Sequence, residues 1–171
     1  MSIRIGKGVY VAETASIIGE VSISDGVSIF DSAVLRGDQS SISIGENSNV
    51  QDNATIHVEV GHPTIIGKNV SIGHNAIVHG AEVRDNVIIG MGAIILTGAI
   101  INSGTVVGAG AVVTENFVSE ENSVLMGIPA KTVRRSEEYL RYAQANALAY
   151  TSLRDEYLSG TYPRTTGRQL K

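Results

Sequence analysis

The chain has no cysteine and no tryptophan, and only two of its 171 residues are phenylalanine. Without cysteine there is neither a disulfide nor a thiolate ligand, so any metal site has to be built from His, Asp or Glu. Positive charge is scarce as well: 13 Lys and Arg stand against 17 Asp and Glu, a formal net charge of −4. Nucleic acids and anionic membrane surfaces recruit clustered positive charge, so neither is an expected partner. No apolar run approaches the ~18 residues that span a bilayer. The opening MSIRIGKGVY lacks the long apolar stretch of a secretory leader, so a cytoplasmic protein is expected. What is present is 19 glycines and abundant Ile and Val in a chain of single-domain length. With so few aromatics, the interior has to be small-celled and regular.

An aliphatic residue recurs about every six positions. The series runs Ile17, Ile23, Ile29, Leu35, then Ile44, Val50, Ile56, then Ile66, Ile72, Val78, and finally Val83, Ile89, Ile95, Ile101, Val107 and Val113. A fixed internal period marks a solenoid, and six does not fit a 3.6-residue helix. Short strands joined by tight corners do fit, with one aliphatic per strand pointing inward and Gly or Asn where the chain bends. Three such hexads close a triangular coil, and stacked coils pair as parallel strands about 4.8 Å apart. Each buried Ile or Val contributes roughly 1.5–3 kcal/mol. The expectation is an all-β solenoid, a parallel β-helix of hexapeptide repeats over residues 1–135.

The repeat is interrupted. Leu35 to Ile44 is nine steps, which predicts a small excursion at Gly37–Ser41. Ile56 to Ile66 is ten, which predicts an external loop over Val58–Thr64 holding Glu59, His62 and Pro63. Val78 to Val83 is five. Past Ser136, the residues Tyr139, Leu140, Ala143, Ala147, Tyr150 and Leu153 lie at helical spacing. Ser136 suits an N-cap, with Glu137 and Glu138 in the first turn. A C-terminal α-helix over 136–158 is therefore expected on the outside of the prism, followed by a tail over 159–171 that frays from about 161.

All four histidines fall between positions 57 and 79. His57 follows the inward Ile56 and His79 the inward Val78, one full coil later. Both should stand on one wall in adjacent coils and point outward, so their imidazoles can converge on one ion. Arg36 follows Leu35 on the same wall one coil earlier. His74 lies two past Ile72, on a different wall, with Asp52 beneath it and Gln51 beside Asp52. His74 can complete the pair only from a neighbouring copy, which suits a homotrimer with a metal at each interface. Three neutral imidazoles with an open fourth position form a catalytic zinc arrangement, and Fe2+, Co2+ and Ni2+ also accept imidazole.

Arg36-Gly37-Asp38, Asn49-Val50-Gln51-Asp52, His57, Gly73-His74, His79-Gly80, Gly90-Met91-Gly92 and Gly127-Ile128-Pro129-Ala130-Lys131 together resemble the γ-class carbonic anhydrase family. The resemblance spans about residues 10–160, and it implies a left-handed turn of the β-helix. It implies His57 and His79 as metal ligands from one subunit and His74 from the next. It assigns Gln51 to orienting the reactive hydroxide or CO2, and Arg36, Asp38 and Asp52 to ion pairs at the site and across the interface, or to trimer contacts alone. Asn49 is a pocket-lining or a corner residue, and Tyr150 a site or a packing residue. The implied activity is hydration of CO2 to bicarbonate through a metal-bound hydroxide. Two departures bear on proton transfer: Gln39 replaces the family's Glu after Arg-Gly-Asp, and the loop after His57 is short and acidic only at Glu59. His62 matches no family ligand. A hexapeptide-repeat acyltransferase using acyl-CoA, and a catalytically weak metal-binding scaffold, are the competing expectations.

Overall fold

The computed structural model describes residues 1–165. Its body is the left-handed parallel β-helix, about seven turns high, with one α-helix against its side. The inward residues form three vertical columns, one per wall. The first column stacks Ile17, Leu35, Ile56, Val78, Ile95 and Val113 in register. The second stacks Ile5, Ile23, Ile44, Ile66, Val83 and Ile101. The third stacks Val11, Ile29, Val50, Ile72, Ile89, Val107 and Leu125. The columns thus continue the repeat to Ile5 and Val11 at one end and Leu125 at the other. Nearly all of these side chains are buried, and with the corner alanines they make one continuous core. Corners are turned by left-handed residues, among them Asn53 and Asn75, both near φ 60°. Asn adopts that conformation at less cost than most side chains.

The interruptions differ in detail from expectation. Strand Val34–Ile44 runs on through the expected excursion. Its register against Ser16–Ile23 jumps between Gly19 and Glu20, so Asp38–Ser40 form a bulge within a continuous strand. The strands meet tightly at this point, because a Cβ on Gly19 would collide with the carbonyl of Gly37. The expected 58–64 loop is smaller. Val58 and Thr64 are fully buried, and the chain turns between Glu59 and His62, which pair through their backbones. The five-residue step is explained by Gly80, whose φ of 56° turns the chain directly after His79.

After Leu125 the chain leaves the repeat. Ala130–Arg135 folds back antiparallel on Ser123–Gly127, so the last part of the expected 1–135 solenoid is a hairpin. The helix spans Glu138–Leu158, with Glu137 at the cap position. Ser136 still contributes, because its hydroxyl accepts the Glu138 N–H at 3.3 Å. Ala143 and Ala147 are buried beneath the helix. Apart from Phe117, which packs against the prism core, the scarce aromatics gather on the helix side: Phe30 packs against Tyr150 and Tyr157, and Tyr157 against Tyr10. Tyr162 packs on Tyr157 and Arg164 pairs with Asp31, while the rest of the expected tail lies outside the described residues.

Candidate metal centre

Two groups of polar side chains stand on two walls. On the first wall, Arg36, His57 and His79 occupy equivalent positions in three successive coils. The His57 and His79 ring centroids are 5.0 Å apart. Asp38, carried by the bulge, turns back over this ladder. Its Oδ2 accepts from Arg36 Nη1 at 2.5 Å, and its Oδ1 lies 3.2 Å from His57 Nε2. The Arg36 hydrogen bond, helped by that of His57, holds the Asp38 carboxyl below its ordinary range. A carboxylate only accepts, so this contact calls for a proton on His57 Nε2 and leaves Nδ1 as the nitrogen free for a ligand.

His79 is anchored differently. Its Nδ1 lies 3.0 Å from Thr97 Oγ1, and Thr97 donates its hydroxyl proton to Glu59 Oε2 at 2.8 Å. A hydroxyl has one proton, so Thr97 accepts from His79 Nδ1–H and the lone pair of His79 lies on Nε2. Thr64 ties the turn to the ladder. Its hydroxyl donates to the His57 carbonyl at 2.5 Å and accepts the Gly80 N–H at 3.0 Å. Sequence reasoning missed Thr97 and Thr64. Counting one coil onward from Gly80 reaches Thr97, but nothing in the spacing says where its proton goes. His62 is exposed beside Gly80 and joins neither group.

On the third wall, His74 stands at the corner after Ile72, and Asp52 stands at the same corner one coil below. Asp52 Oδ2 lies 2.9 Å from His74 Nδ1, a close pairing of carboxylate and imidazole. The Asn75 N–H donates to the Asp52 carbonyl at 3.1 Å and locks the two corners together. Beside them runs a buried chain of amides: Gln51 Nε2 donates to Asn49 Oδ1 at 3.0 Å, and Asn49 Nδ2 to Ser71 Oγ at 2.8 Å. Asn49 is neither a corner nor a pocket-lining residue. It is a strand residue with 0 % exposure whose side chain bonds Gln51 and Ser71. Gln51, His74, Met91 and Tyr150 share a cleft of about 340 Å³. Burial first, and the Asp52 charge second, push the Tyr150 phenol up, so it is a neutral donor at neutral pH.

The two groups do not converge in one copy. Among the described residues no three His, Asp or Glu side chains gather in a geometry that could hold an ion. Arg36 and Asp38 belong with the His57/His79 pair, whereas Asp52, Gln51, Asn49 and Tyr150 belong with His74. The His74 side chain is 42 % exposed and that of His57 14 %. No described helix is long and apolar enough to cross a membrane.

Residues 63–97 match a family model described as the hexapeptide repeat of succinyl-transferase. A probable carbonic anhydrase of Methanocaldococcus jannaschii is 53% identical over 150 residues, covering 87% of this chain and 94% of that protein. The mitochondrial gamma carbonic anhydrase 1 of Arabidopsis thaliana is 40% identical over 156 residues, covering 87% of this chain but only 57% of the longer plant protein. Among solved structures, a hexapeptide transferase family protein from Anaplasma phagocytophilum superposes with a TM-score of 0.87 at 35% identity, covering 91% of this chain and 92% of that one.

Proposed function

Since the chain belongs to the γ-carbonic anhydrase-like family of hexapeptide-repeat proteins, we propose that it is a metal-dependent carbonic anhydrase, hydrating CO2 to bicarbonate at the interfaces of a homotrimer. The observation that carries this reading is the register of the histidines: His57 and His79 stacked on one wall, His74 on another. The donor chemistry fits a divalent ion. His57 and His79 each set one ring nitrogen against an oxygen, which leaves the other for an ion, and the Asp52 carboxylate lies beside His74 Nδ1. His57 and His79 of one subunit and His74 of the next would hold the ion. Zinc is the proposed ion, and iron, cobalt or nickel suit the same ligands. When bound, the ion supplies a Lewis acid that makes water acidic enough to react near neutral pH.

The chain's own residues do the rest. One N–H of Gln51 Nε2 goes to Asn49, so its Oε1 and second N–H remain to hydrogen-bond the reacting water or CO2 and orient it. Half-exposed His74 would bring its cleft to the neighbouring copy, with the Asp52 carboxylate beside its ring. Asp38 balances Arg36 and steadies His57. Hydration joins one water oxygen to carbon and releases one proton. Gln39 cannot carry that proton, and Glu59 is the one carboxylate in the turn after His57. Proton release is therefore the expected slow step.

Stopped-flow CO2 hydration on anaerobically purified protein, with metal content measured, tests the reading. Active, metal-loaded protein supports it, and a His74→Ala chain that stays folded but loses its metal supports the ligand set. Full metal occupancy in His74→Ala refutes that set. The similarity to a hexapeptide transferase family protein favours acyl transfer as the second reading. Turnover of an acyl-CoA thioester that survives removal of the metal would establish it, whereas bound metal without CO2 hydration would mark a scaffold.

A further inference from the structure

Within this metal-site reading, on which the argument rests, we infer that Thr97 is a positioning residue for His79, and that Glu59 serves the site by holding the Thr97 hydroxyl. Three pairs of contacts carry the inference. Thr97 Oγ1 lies 3.0 Å from His79 Nδ1 and donates to Glu59 Oε2 at 2.8 Å. Glu59 is held in turn by the backbone pairing of the short turn, its N–H donating to the His62 carbonyl at 3.2 Å and its carbonyl accepting from His62 N–H at 2.9 Å. The Thr64 hydroxyl joins the base of that turn to the coil of His79 through Gly80.

The direction of this chain follows from proton counting. Glu59 as a carboxylate cannot donate, so it claims the only proton of Thr97. The Thr97 oxygen is then purely an acceptor toward the ring, and His79 has to place its own proton on Nδ1. The Nε2 lone pair is fixed before any ion arrives, and the ring is held at its far edge. The turn after His57 thus acts as a clamp on the next coil's imidazole. Such contacts behind a ligand typically change metal affinity 10- to 100-fold.

The test uses the full chain and zinc alone. Zinc affinity is measured by competition with a chromogenic chelator, and the His79 tautomer by imidazole 15N shifts on the zinc-free chain. Thr97→Val should weaken zinc binding roughly 10- to 100-fold and remove the fixed Nδ1–H tautomer. Thr97→Ser, which keeps the hydroxyl, should restore both. Glu59→Gln should fall between, because the Gln carbonyl still accepts but its amide can also donate. Wild-type affinity and tautomer in Thr97→Val overturn the inference, as does an Nε2–H tautomer in the wild-type chain. If Thr97→Val does not fold, Thr97→Ser and Glu59→Gln decide by the same two readouts. Failure of the underlying reading looks different: the wild-type chain then binds no zinc, while the tautomer measurement still decides what Thr97 does.

Discussion

The first and third walls solve the same problem, holding an imidazole still, by different means. On the third wall every partner sits in the repeat itself. Asp52 lies one coil below His74, and Asn49 and Ser71 are in-register strand neighbours. On the first wall two of the anchors come from outside the repeat: Asp38 from the strand bulge and Glu59 from the turn. On the first wall stacking brings His79 over His57 and sets the repeat residue Thr97 beside His79, but the acceptor for His57 and the carboxylate that orients Thr97 come from the irregular segments. The lesson is that interruptions in a solenoid add the second contact that stacking alone leaves out.

The comparison breaks most completely if the walls do not cooperate between copies. His57→Ala, His79→Ala and His74→Ala chains should each fold and each lose zinc, as metal analysis and circular dichroism would show. Mixing His57→Ala with His74→Ala subunits, unfolded and refolded together, should then restore zinc to about a quarter of the interfaces of a cyclic trimer. No recovery would mean that each site is built within one subunit. Next in size is Asn49→Ala, which strands the Gln51 amide and the Ser71 hydroxyl. It should cost about 1–3 kcal/mol in thermal unfolding and slow CO2 hydration while leaving zinc content unchanged. Zinc loss would move Asn49 into the ligand-holding group. Asp52→Asn should weaken zinc binding roughly tenfold, because it trades a charged acceptor for a neutral one. An unchanged affinity would show that His74 needs no anchor. The smallest effect belongs to Tyr150→Phe. The ring keeps its packing on Phe30, so stability should shift by about 1 kcal/mol or less. A fall in hydration rate at full zinc occupancy would instead make the phenol part of the site.

The placement of the histidines was legible because an inward aliphatic every hexad leaves little freedom: once Ile56, Val78 and Ile72 are assigned, His57, His79 and His74 follow by counting. The same counting placed Arg36 under His57 and Asp52 under His74. It failed where geometry depends on a single torsion. The bulge that swings Asp38 over His57 looks like any nine-residue step, and Gly80's left-handed turn looks like a deletion. Asn49 read as a corner or pocket residue because Asn is common in both. Only its bonds to Ser71 and Gln51 show it to be an interior strut. Thr97 lies far from Glu59 in sequence, and no period connects them. The helix was clear from its spacing, but not that its tyrosines would supply the aromatic packing the prism lacks.

The returning strand Ala130–Arg135 has a consequence beyond the site. A stack of parallel coils could in principle grow without limit, since each rung offers the next a row of unpaired amides. By reversing direction along Ser123–Gly127, this segment occupies that row on one wall with a strand of opposite polarity. On that wall the chain thereby carries its own terminator, which disfavours head-to-tail stacking of one prism on the next.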